Sequence, residues 1–260
     1  MEARAQMTEA RSPQPTVGGF TLWRVFWRSL FLQAAWNPKG MQNLGFAYAL
    51  YPALAELYPE PERLQEATER HLCCFNTHPY AAAAILGGAI YHEERIARGE
   101  EPPEAVNLFK GSLMGPLAAL GDGFFWFSLR PAAGAFAALM SLLVGLWGPV
   151  VYLAGYNAVH LALRARFFVA GHRLGDEVVS AIAASRLPFF GERLRGLAAA
   201  SAGAVAGLAS LSFPRAHGAW AVLGAWGLFA AAYVLLAKGA SPYALAYGAA
   251  ALALFLGLVF

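Results

Sequence analysis

Charge is scarce in this sequence. Lys, Arg, Asp and Glu make up 13% of its 260 residues, about half the share usual in a soluble domain. That deficit excludes an ordinary water-exposed globule. The net charge is only +3, and no Lys/Arg cluster alternates with aromatics, so no nucleic acid partner is expected. Cysteine is nearly absent too. The only two, Cys73 and Cys74, are adjacent, a spacing that strains a disulfide, and no Cys/His spacing suits zinc. Both read as reduced, small and partly buried. The chain also lacks a G-x-S-x-G elbow, a Walker A loop, an H-E-x-x-H pair and a G-x-G-x-x-G turn after a strand. No catalytic residue, metal or cofactor is therefore expected. No secretory signal opens the sequence. Residues 1–19 read as a polar, disordered tail with Pro13 and Pro15, leaving insertion to internal segments.

What is abundant is apolar surface: 58% of residues are hydrophobic, and mean hydropathy is +0.46. Together these indicate a membrane protein. Residues 20–35 read as an amphipathic helix, with Leu22, Val25, Phe26, Leu30, Phe31 and Ala34 on one side and Arg24, Arg28 and Ser29 on another. It suits either a membrane interface or a protein surface. Residues 41–58 read as an apolar helix broken at Pro52, and Pro59-Glu60-Pro61-Glu62 as the start of a solvated helix. Between Leu113 and Arg130, Gly115-Pro116 and Gly121-Asp122-Gly123 punctuate an apolar run, the pattern of a broken or re-entrant segment. Residues 132–155, 196–213, 217–236 and 243–260 are long enough to span a ~30 Å core. Their small residues allow close helix packing. Six arginines between 164 and 195 place that segment in the cytoplasm by the positive-inside rule. The fold expected is all-α. It is a polytopic membrane protein with amphipathic and broken or re-entrant helices over 20–131 and a C-terminal bundle of transmembrane helices over 132–260.

The polar residues set in this apolar background are the candidates for function. Asn76, Thr77 and His78, before Pro79, supply donors and acceptors suited to hydroxyls. They either line a polar cavity or close a tight turn. Gln42-Asn43 is a weaker pair of the same kind. Glu93 and Glu94 point about 100° apart on a helix, so only one can face a given cavity. That one accepts hydrogen bonds from a polar ligand, or else both are solvated at a helix end. Asp122, between two glycines, either meets a ligand or caps a helix beginning at Phe124.

Several of these motifs occur in an order that resembles a known family. They are Met41-Gln42-Asn43-Leu44-Gly45-Phe46, Arg70-His71, Phe75-Asn76-Thr77-His78-Pro79-Tyr80, Glu93-Glu94, Leu113-Met114-Gly115-Pro116-Leu117-Ala118, Gly121-Asp122, Tyr156-Asn157 and Gly171-His172-Arg173-Leu174-Gly175. The series resembles the IID component of the mannose/fructose/sorbose-type sugar phosphotransferase system, over roughly residues 20–260. The resemblance implies a multi-pass subunit of the cell inner (cytoplasmic) membrane. It implies a IIC membrane subunit as partner, an oligomeric complex, and a translocation path for a hexose such as mannose, fructose or sorbose. Phosphate would arrive through soluble IIA and IIB phosphocarriers, and no residue of this chain would carry it. Substrate contacts would fall among Asn76, Thr77, His78, Glu93, Glu94, Asp122, Gln42 and Asn43. The alternative is a membrane interaction or regulatory scaffold without transport, in which those groups only pack and cap.

Overall fold

The structure, a computed structural model, describes residues 16–217 and 219–259. Every regular element among them is helical; the only extended pairings are isolated bridges between Asn37 and Met41 and between Met41 and Phe75. Two compact units are distinguished, one running to Ser201 and one from Ala202.

The first unit begins with α1 (Gly19–Arg28). Most of the expected tail, residues 1–15, lies outside the described residues. By Val17 the chain is already anchored: the Val17 N–H donates to Glu94 (2.8 Å) and the Gly18 N–H to Glu56 (2.8 Å). α1 buries Thr21 and Val25 and turns Phe20, Trp23 and Trp27 outward. Ser29, expected on the polar side, is buried. One face of the helix therefore packs on protein while an aromatic face remains open.

α2 (Asn43–Leu57) contains Pro52 without breaking. Proline has no N–H to offer the carbonyl four residues earlier. Here that carbonyl, on Tyr48, accepts from Arg28 Nη1 at 3.2 Å instead. The expected break is thus repaired by a side chain from α1. α3 (Pro61–Arg70) starts with proline at its first turn, as its sequence signals. α4 (Ala82–Ala97) is largely buried and crosses α7 (Trp147–Leu174) at backbone distance. A Cβ on Gly87 would lie 2.1 Å from the Phe168 carbonyl oxygen, and one on Gly171 would lie 2.0 Å from that of Ala84. Only glycine permits so close a crossing.

α5 (Glu104–Gly121) and α6 (Arg130–Val144) are joined by a π-helical stretch, Asp122–Leu129. The glycine-rich punctuation here widens the helix and does not unwind it. Ser128 Oγ donates to the Gly123 carbonyl, five residues back, at 2.8 Å. No helix starts afresh at Phe124, so Asp122 is not an N-cap. The run Glu104–Val144 is the one helical run among the described residues long and apolar enough to cross a membrane, and 22% of its most apolar window is buried. So little burial is unlike the core helix of a soluble protein. The expected span 132–155 is two helices, because Gly145 adopts φ 63° and α7 begins at Trp147. This turn is apolar, with Leu142, Leu143, Val144, Leu146 and Trp147 all exposed.

The unit continues through a short α8 (Val178–Ala183) into α9 (Leu187–His217), which passes the boundary at Ser201. In the second unit, α10 (Ala219–Ala237) meets the end of α9, where Trp226 Nε1 donates to Ser210 Oγ at 3.1 Å. α11 (Pro242–Val259) follows.

Candidate functional site: the turn before α4 and its surroundings

Residues 75–80 run between α3 and α4, and their ties to the protein alternate along the chain. Phe75 is held by backbone: its N–H donates to the Gly40 carbonyl (3.3 Å), and its carbonyl accepts from the Gln42 N–H (2.8 Å). Thr77 is held by a two-point amide clamp. Gln42 Nε2 donates to the Thr77 carbonyl at 2.9 Å, and the Thr77 N–H donates to Gln42 Oε1 at 3.1 Å. Thr77 Oγ1 then donates to the Met114 carbonyl at 2.9 Å. Pro79 is held from α7, where Arg164 Nη2 donates to its carbonyl at 2.7 Å. Asn43 ties the neighbouring loop: its Nδ2 donates to the Leu72 carbonyl at 2.7 Å, and its Oδ1 accepts from Asn37 Nδ2 at 3.1 Å. Gln42, Asn43 and Thr77 therefore spend their polar atoms on closing the turn.

The even-numbered residues differ. Asn76 is exposed, and only its backbone N–H is engaged, with Met114 Sδ at 3.4 Å. His78 is buried, stacked on Phe125 with centroids 4.9 Å apart, and its Nε2 has no hydrogen-bond partner. Its Nδ1 accepts the Tyr80 N–H at 3.3 Å. Gly121 lies under the ring; a Cβ there would be 2.3 Å from that of His78. The next residue, Asp122, is half-buried, and its carboxylate makes no hydrogen bond or ion pair among the described residues. Tyr80 stacks on His160 (4.4 Å between centroids) and shares a hydrogen bond with the Tyr156 hydroxyl at 3.3 Å.

Glu93 and Glu94 lie at the other end of α4, about 16 Å of helix away at 1.5 Å per residue. Neither is solvated. Glu93 is fully buried and accepts from the Tyr58 hydroxyl (2.7 Å) and from His71 Nε2 (2.9 Å). Arg70 Nε completes an ion pair with it at 3.0 Å, its N–H not aligned on the oxygen. Lys110 Nζ lies 3.3 Å from His71 Nδ1 and donates to Asn107 Oδ1 at 3.2 Å. An ammonium facing Nδ1 puts the imidazole proton on Nε2, pointing at Glu93. Burial lowers the His71 pKa to about 4, so the ring is neutral at pH 7. Burial alone would raise that of Glu93, but the His71 hydrogen bond and the neighbouring positive charge hold it below the usual carboxylate range. Burial, then the Glu93 charge, raises that of Tyr58. Glu94 instead accepts from the Val17 N–H and lies 3.3 Å from His172 Nε2.

Sequence reasoning missed Tyr58, Lys110 and Arg164. Arg164 reads as one of six topology-setting arginines, yet it is buried, and its partners are neutral: Pro79, Ser29 Oγ at 3.4 Å and the Tyr80 ring. One signal was available, since Arg164 lies four residues beyond His160, on the same side of the helix.

These features define a class: an all-helical protein of the membrane type, with a polar turn braced against a long apolar helix. The chain belongs to the PTS system mannose/fructose/sorbose family IID component, whose sequence pattern matches residues 18–209. It is 40% identical over 174 residues to the mannose-specific EIID component of Escherichia coli K12, a match covering 66% of this chain and 60% of that one. To the fructose permease IID component of Bacillus subtilis it is 33% identical, covering 64% of this chain and 61% of that one. The chain thus spans about three-fifths of the length of the curated relatives it matches. A chain of the mannose transporter ManYZ, solved with microcin E492, superposes with a TM-score of 0.60 and 33% identity over 78% of this chain and 72% of that one. Another structure, described as a membrane protein, reaches 0.71 at 30% identity, over 91% and 95% of the two chains.

Proposed function

We propose that this chain is the membrane IID subunit of a sugar phosphotransferase permease. It forms the translocation path for a hexose such as mannose, fructose or sorbose together with a IIC subunit. It sits as a multi-pass protein in the inner membrane, within an oligomeric complex, and soluble IIA and IIB components deliver the phosphate. Family membership supports this reading. The observation that carries it is the alternation in the turn: residues 75, 77 and 79 are bound to the protein, while Asn76, His78 Nε2 and Asp122 keep unspent hydrogen-bonding capacity. A sugar is uncharged, so such groups select it better than a field of charge does. On this reading Asn76, His78 and Asp122 meet hydroxyls. Gln42, Asn43 and Thr77 brace them, and Glu93 and Glu94 stabilise the far end of α4.

The test is co-expression with a IIC subunit, followed by co-purification and uptake of labelled hexoses. Asn76→Ala and Asp122→Ala should each abolish uptake and leave the complex intact. Wild-type uptake by both variants removes the turn from the path. A second reading, a regulatory scaffold without transport, draws on the complete consumption of Gln42 and Thr77 within the turn. It requires that the purified complex move no hexose.

A further inference from the structure

A cavity of about 550 Å³ opens between α7, the π-helical stretch and the start of α9. Its walls are Phe124, Leu129, Val159, Leu163, Phe190 and Leu197. Two charged donors sit on the same lining, Arg166 from α7 and Arg193 from α9, and Ser185 comes from the turn before α9. Ser185 Oγ is shut off from solvent and has no partner. Arg166 and Arg193 are exposed, and among the described residues neither makes a hydrogen bond or ion pair; Arg193 only lies over the Phe189 ring, at 4.9 Å. The nearby carboxylate, Glu192, is taken by Arg195 at 2.6 Å. Arg186, beside Ser185, holds a left-handed backbone at φ 52°, a conformation a side chain adopts at a cost.

An apolar groove bordered by two free guanidiniums has the polarity of a lipid turned inside out. Its volume is in the ~300–1,000 Å³ range of small-molecule sites. Guanidinium binds phosphate through a fork of donors, and basic pockets between membrane helices take anionic headgroups. We propose that this cavity binds one anionic phospholipid. The phosphate lies between Arg166 and Arg193, and an acyl chain fills the space beside Leu129, Val159 and Leu163. The proposal rests on the membrane placement of the chain but not on transport.

The chain, purified in detergent, is titrated with dioleoylphosphatidylglycerol, with dioleoylphosphatidylcholine and with inorganic phosphate, and bound lipid is counted by native mass spectrometry. Phosphatidylglycerol should be retained with a preference of roughly tenfold or more over phosphatidylcholine, as two basic side chains supply. Arg166→Ala with Arg193→Ala should erase that preference without changing helical content. Leu163→Trp, which fills the groove and leaves both arginines, should reduce binding of both lipids. Equal retention of the two lipids, or full displacement by inorganic phosphate, would overturn the proposal. So would a preference that survives the double substitution in a natively eluting protein. Expulsion of the lipid when a IIC subunit binds would assign the cavity to a protein contact and overturn it equally.

Discussion

Acid should loosen this protein in part through His71. His71 is buried between Glu93 and Lys110, and its pKa falls from 6.5 to about 4. Between those values the unfolded imidazole takes up a proton that the folded one refuses, so stability is lost as pH falls through the window. Each pH unit there is worth about 1.4 kcal/mol, and acidifying from pH 7 to pH 5 should remove roughly 2 kcal/mol. Glu93, held below 4.5, stays ionised throughout and adds its own loss only at lower pH. For a chain of this size roughly 2 kcal/mol lowers the thermal midpoint by about 4–8 °C. The assay is thermal unfolding in detergent at pH 7 and pH 5, for the wild type and for His71→Gln, whose amide can still donate to Glu93. The variant should lose less on acidification, by the amount assigned to the ring, and the difference isolates His71 from the other histidines. Equal acid losses in the two proteins would refute the argument, because the ring would then titrate as it does in water.

Other substitutions test the frame around the turn. Glu93→Gln leaves Arg70 without its carboxylate in a buried site and should cost about 3–5 kcal/mol, read as a fall in the thermal midpoint well beyond that of a surface variant. Gly121→Ala drives a methyl into His78; overpacking of this kind costs roughly 1–3 kcal/mol and should cut uptake as well as stability. Arg28→Ala strands the Tyr48 carbonyl that Pro52 leaves unpaired and should destabilise by about 1 kcal/mol. Adding Pro52→Ala should restore the missing donor and recover most of that loss.

Local signals in the sequence identified what local physics decides. Pro61 starts α3 where its fixed φ suits a first turn, and the two last apolar runs, expected at 217–236 and 243–260, became Ala219–Ala237 and Pro242–Val259. The misreadings share a cause, a partner distant in sequence. Pro52 reads as a break because nothing near it shows that Arg28 will serve its orphaned acceptor. Glu93 and Glu94 read as either ligand-facing or solvated because the groups that bury them come from Val17, Tyr58, Arg70, His71 and His172. Gly145 is hidden in a run that has no Lys, Arg, Asp or Glu from 131 to 163, so hydropathy gives no warning of the turn there. Of the polar candidates, all eight residues were visible, but not which of them keep free atoms.

That division follows from charge as much as from hydrogen bonding. At the far end of α4 a buried carboxylate has cations to spare, Arg70 and Lys110 around Glu93. At the near end a buried cation, Arg164, has no carboxylate among its partners and is held by a carbonyl, a hydroxyl and an aromatic face. A buried charge answered only by dipoles is costly unless those dipoles are fixed. Arg164 therefore requires Pro79 and Ser29 to stay where they are, and through Pro79 it fixes the turn. With Thr77 clamped by Gln42 and Met114, the chain is pinned on both sides of His78. An imidazole pinned in this way, stacked on Phe125 and with a buried Nε2 that has no partner, is preorganised. On the proposed function, a sugar hydroxyl that reaches it meets a donor or acceptor already oriented, and little conformational entropy is lost on binding.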